Sequence, residues 1–203
     1  MTLFRRDEEQ LLVKGSLLTT LPSLGKEWRV AHELRPTEYS GEFKNSLHLT
    51  IGGSLGDYGD RTPAIWPSTP TGGKMFIASA VNGDENYEHW PDQPPVGEWT
   101  PIQISQTCEE GKYLYRIVIG GEEVHAVENT EPEEFSDVAV YASDPWYPPQ
   151  PGSIRNLVIH SRHQGESNPV FVSGSILEDN DLMPWHFFLQ SENFTLTHNI
   201  LLL

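Results

Sequence analysis

Two stretches of this chain concentrate the oxygen donors that hold a hard cation: Gly56-Asp57-Tyr58-Gly59-Asp60 and Asn82-Gly83-Asp84-Glu85-Asn86. Calcium takes carboxylate, amide and carbonyl oxygens, which makes Asp57, Asp60 and Asp84 its candidate ligands. Neither stretch has EF-hand spacing, so a site would draw on both. The same side chains have a simpler use. Asp and Asn close Asx turns, and Asp60 can pair with Arg61 to anchor its loop.

A second chemistry is offered by aromatic residues clustered with short polar ones. Sugars present C–H faces to flat rings and hydroxyls to carboxylates and amides, the usual mix of a small-ligand pocket. The candidate ligand-binding residues are Trp66, Asp84, Asn86, Tyr87, Trp90, Asp144, Trp146 and Tyr147. Prolines flank several of them, at Pro67, Pro91, Pro145 and Pro148. A proline-stiffened loop loses less conformational entropy on binding. Two of the five aromatics are expected to face solvent; the plainer use of Trp66 and Trp146 is to cover sheet edges or ends of the core. Trp28 and Trp99, inside alternating segments, are expected in the core.

Catalysis is not indicated. Glycoside hydrolysis needs two carboxylates on one face, about 5–5.5 Å apart in a retaining enzyme, and no segment alternates acids that way. The acid-rich Glu131 to Asp137 surrounds Pro132 and suits a solvated turn. There is no Gly-x-Ser-x-Gly elbow and no glycine-rich phosphate loop opening a helix. The eight histidines are scattered, which gives no transition-metal spacing. Cys108 is alone, which excludes an intrachain disulfide and a cysteine-based zinc site and predicts a buried thiol.

These residues must be positioned by strands. Helical periodicity is nearly absent, save one turn expected within 7–14. Alternation or short apolar blocks predict strands at 10–20, 27–36, 46–52, 63–67, 74–81, 98–107, 112–120, 123–128, 136–142 and 153–161. Gly and Asn turns separate them. The clearest hairpin places Tyr113, Tyr115, Ile117 and Ile119 on one face, turns at Gly120-Gly121, and returns through Val124 and Ala126. Some ten short strands predict an all-β fold, a two-sheet antiparallel β-sandwich or jelly roll. The polar stretch from Ser161 to Pro169 reads as a linker. It divides a sandwich domain, 1–162, from a C-terminal extension, 163–203, expected to add strands or to contact a neighbouring copy.

Composition bounds the partners. The 203 residues carry a formal net charge of −16, which disfavours nucleic acid and anionic membrane surfaces. Residues 122–137 hold seven acids and no Lys or Arg. No apolar run approaches the ~20 residues of a membrane-spanning helix, and no signal peptide opens the sequence. Asn193-Phe194-Thr195 is an N-glycosylation sequon, consistent with an extracellular, secreted setting.

Four segments, in order, resemble the concanavalin A-like lectin/glucanase superfamily, and within it the laminin G-like and pentraxin-like sandwiches. They are Glu27 to Pro36, Gly97-Glu98-Trp99-Thr100-Pro101-Ile102, the glycine-turned hairpin from Tyr113 to Val124, and Gly152 to Ile159. The resemblance covers residues 10–162. It implies two curved sheets face to face, ligands taken by rim loops or the concave face, and calcium in some relatives. A shared sandwich does not carry its function with it. The expectation is a non-enzymatic recognition domain for a glycan or glycoprotein, with calcium assisting. The alternative is a structural or adhesion module that forms a homo-oligomer through edge strands and the C-terminal extension.

Overall fold

Over Glu27–Pro36 the side chains alternate strictly: Trp28, Val30, His32, Leu34 and Pro36 are buried, and their neighbours are half-buried. That period of two is what a strand with one covered face requires. The computed structural model describes residues 1–162. The predicted extension at 163–203 and the Asn193 sequon lie outside the described residues.

Thirteen strands form: β1 (Thr2–Arg6), β2 (Gln10–Leu11), β3 (Leu17–Leu24), β4 (Glu27–Pro36), β5 (Leu47–Thr50), β6 (Ala64–Trp66), β7 (Phe76–Val81), β8 (Asp84–His89), β9 (Thr100–Glu109), β10 (Lys112–Ile119), β11 (Glu122–Asn129), β12 (Phe135–Tyr141) and β13 (Gly152–Arg162). Among the described residues there is no helix. The first sheet runs β1-β13-β4-β9-β10-β11, with β2 also pairing β13. The second runs β3-β12-β5-β6-β7-β8. Neighbouring strands are antiparallel throughout, so the described residues form an all-β, two-sheet antiparallel sandwich.

The core lies between the sheets. Trp28, Val30, Leu34, Ile102, Ile104, Tyr115 and Ile117 come from the first; Leu21, Leu47, Leu49, Ile65, Ile77, Val138 and Val140 come from the second. Each fully buried side chain of this size contributes about 1.5–3 kcal/mol relative to exposure.

Six expectations change. The turn expected within 7–14 is not helical, and the strand expected at 10–20 is two strands, β2 and β3. The ligand loop expected from Asp84 to Trp90 is mostly strand β8, an edge whose polar sequence hides it. The return of the hairpin is shifted: a bulge between the pairs Ile117–His125 and Val118–Glu123 leaves Val124 as the extra residue. His125 and Val127 therefore turn toward the sandwich, while Val124 and Ala126 are exposed. Trp99 precedes β9 and is half-buried rather than core, with the Arg35 and Arg155 guanidiniums 4.5 and 4.3 Å from its ring centroid. Cys108 is half-buried.

Candidate functional site

The middle of the second sheet is covered on both faces. β5, β6 and β7 are buried at every position, so a second layer must lie over the face turned away from the core. Register explains it. His48 pairs with Ala64, Ala64 with Ala78, and Ala78 with Glu88, forming one cross-strand row. The next row pairs Trp66 with Phe76. Two alanines beside two large rings leave a hollow.

Three aromatic residues from flanking segments stand over it. Phe43 lies 5.8 Å from Phe76, 6.2 Å from Trp90 and 6.4 Å from Tyr147 between ring centroids. Trp66 is 5.3 Å from Tyr147, and Phe76 is 4.7 Å from Trp90. These rings, with Arg61, Asn86 and Glu88, line a hollow of about 220 Å³. It is a small aromatic cup with three polar side chains.

Arg61 is only 4% exposed. Its Nε donates to the Ser54 carbonyl at 2.9 Å, and one terminal nitrogen donates to Asn86 Oδ1. The guanidinium carbon sits 4.6 Å over Trp66 and 5.7 Å over Phe76, a cation–π arrangement in a desolvated setting. Burial pushes its pKa down, and Tyr147, Asp144 and Asp60 oppose that shift.

Two loops carry Arg61 and Tyr147 to the hollow, and His48 ties them together. Its Nδ1 is 2.8 Å from Asp144 Oδ2 and its Nε2 is 2.7 Å from the Asp60 carbonyl. Asp144 Oδ1 accepts the backbone N–H groups of Trp146 and Tyr147, at 3.0 and 2.7 Å. Asp60 folds its own loop: Oδ1 accepts the Gly53 N–H at 2.8 Å and Oδ2 the Asp57 N–H at 3.1 Å. A Cβ at Gly53 would collide with that carboxylate, so the close approach requires glycine.

Of the sequence candidates, Trp66, Asn86, Trp90 and Tyr147 meet in the hollow. Asp144 lies fully buried behind it as a loop clamp. Trp146 lies tilted against His48, 5.4 Å between ring centroids, and is the one candidate aromatic that is exposed, at 39%, where two were expected. Tyr87 points from the other face of β8 toward Tyr115 and His125. Asp84 is exposed and accepts the Asn86 N–H at 2.8 Å. Asp57, Asp60 and Asp84 are not gathered: among the described residues no three His, Cys, Asp or Glu side chains meet as a metal-holding group. Phe43, Arg61, Phe76 and Glu88 were not among the candidates. The signal available for Phe76 and Glu88 was alternation continuing through β7 and β8 on the face of Trp66.

No family model matches the chain, and no curated protein matches it. Solved structures similar to it include domain 4 of an extracellular GH43 arabinanase from Geobacillus stearothermophilus, in complex with arabinotriose. That pair has 17% identity and a TM-score of 0.46, covering 70% of this chain and 65% of that one, just under two thirds of its length. A CBM40 of the Ruminococcus gnavus IT-sialidase, bound to sialyllactose, has 12% identity and a TM-score of 0.49, covering 79% and 95%. Sheep galectin-11, in complex with glycerol, has 12% identity and a TM-score of 0.38, covering 76% and 96%. At these identities the likeness is one of fold alone.

Proposed function

We propose that this chain is a non-catalytic recognition domain that binds a saccharide in the hollow on the outer face of its second sheet. The observation that carries this is the lining itself: Trp90, Tyr147, Phe43 and Phe76 around Arg61, Asn86 and Glu88. Aromatic rings take the C–H face of a sugar, and a few convergent polar groups take its hydroxyls. The lining holds one carboxylate, Glu88, where glycoside hydrolysis uses two. That supports binding without cleavage. The proposal includes display outside the cell, where glycans and glycoproteins are presented, and gives calcium no part in the pocket.

A glycan array probed with the purified chain tests it, alongside Trp90→Ala. A restricted set of glycans is expected to bind, with a loss of about tenfold or more for the variant, the scale of one buried aromatic contact. Binding is expected to survive a chelator, because both Asp60 carboxylate oxygens already accept backbone N–H bonds. No glycan above background, or equal binding by Trp90→Ala, overturns the proposal.

A further inference from the structure

The polar groups of the hollow are unevenly divided between donors and acceptors. Arg61 offers only donors. Asn86 spends its carbonyl oxygen on Arg61, which leaves its amide nitrogen to donate. Trp66, 1% exposed, carries an indole N–H that is buried without a partner. Leaving a buried donor unmet is costly, and no acceptor among the described residues stands beside it to draw on the donors of the hollow.

Charge points the same way. No carboxylate forms an ion pair with Arg61 among the described residues. Asp144 and Asp60, whose charges partly offset its burial, spend their hydrogen-bonding oxygens on Gly53, Asp57, His48, Trp146 and Tyr147. The cation is therefore desolvated against Trp66 with no carboxylate in direct contact. Glu88, the one acid in the lining, is exposed on β8.

We infer that the hollow selects an acidic saccharide, one whose oxyanion is held by Arg61 with the Asn86 amide. This rests on the saccharide assignment of the same pocket and names its ligand class. The oxyanion is a carboxylate or a sulfate, and one per ligand: the net charge of −16 repels a dense polyanion, while screening beyond about 8 Å leaves a single local contact intact. Glu88 then acts against the ligand charge, so its neutralisation should help.

Matched pairs measured by calorimetry test this: methyl glucuronide against methyl glucoside, sialyllactose against lactose, and galactose 6-sulfate against galactose. The acidic member of at least one pair is expected to bind about tenfold or more tightly, with affinity falling as salt rises. The carboxylate and sulfate arms separate the two sources. Glu88→Gln is expected to raise the acidic-to-neutral preference about two- to fivefold, the scale of an exposed charge pair. Arg61→Lys, which keeps the charge and loses the fork, should lower that preference; its urea unfolding curve shows whether it remains folded, and Glu88→Gln tests the charge logic independently of it. Neutral members bound as well as acidic ones, or a Glu88→Gln variant with reduced acidic preference, overturns this inference and leaves saccharide binding standing. Failure of every acidic and neutral probe overturns both.

Discussion

At the scale of single residues, adjacency in sequence misleads at Asp60-Arg61. Two opposite charges side by side suggest an ion pair. The backbone sends them apart: Asp60 turns back to the Gly53 and Asp57 N–H groups, and Arg61 turns forward over Trp66. The buried Asp60 carboxylate fixes where Arg61 leaves the loop. Gly53→Ala places a methyl group against that carboxylate, and the two cannot both hold their places. A loss of about 1–3 kcal/mol is expected, the cost of disrupting one buried charged hydrogen-bond set. Urea unfolding reads that loss, and the variant should also bind saccharide more weakly while keeping its strand content. Unchanged affinity would show that the loop does not position Arg61. The aromatic part of the site was legible because Trp66, Trp90 and Tyr147 are large rings beside prolines. Arg61 was not legible as a lining group, because its role depends on which way one peptide turns.

Between residues and the whole lie the strands, and here legibility follows burial. β4 was readable end to end because one face is wet and one dry, giving strict alternation. β8 was not, since its sequence Asp-Glu-Asn-Tyr-Glu-His is polar on both faces. It sits at a sheet edge with Glu88 and Asn86 over the hollow and Tyr87 directed inward. β11 shows a third case: period two was present in the sequence, yet one extra residue reversed its phase. A bulge at Val124 sends His125 and Val127 inward, and Val127 packs on the core. Val124→Asp is therefore expected to change stability by no more than about 0.5 kcal/mol. Val127→Asp should cost about 2 kcal/mol or more, since it places a carboxylate against apolar neighbours without a partner. Urea midpoints of the two variants check this directly. Equal losses, or a larger loss at Val124, would restore the unbulged register.

For the whole molecule the question is how it responds to acid, because two effects oppose each other. The formal charge of −16 means that lowering pH first relieves self-repulsion, which favours the folded state. Against it stands His32, 3% exposed in the middle of β4, with neither ring nitrogen hydrogen-bonded. Burial lowers its pKa from 6.5 to about 4. Between those values the unfolded chain binds a proton that the folded chain refuses, so stability falls as pH drops through 6.5 and stops falling near 4. A shift of that size corresponds to about 3 kcal/mol. His125, His89 and His160, less buried, are shifted down by burial as well and add in the same direction. His32→Leu removes the largest of these contributions and also relieves two unpartnered ring nitrogens, so it should be more stable than the parent at pH 7. The decisive comparison is how that gain changes with pH. Urea unfolding at pH 7 and pH 4.5 should show the advantage of His32→Leu growing by about 2–3 kcal/mol on acidification. If parent and variant fall in parallel, the acid-sensitive group lies elsewhere, and the relief of surface charge would then be opposed by the exposed histidines rather than by the core.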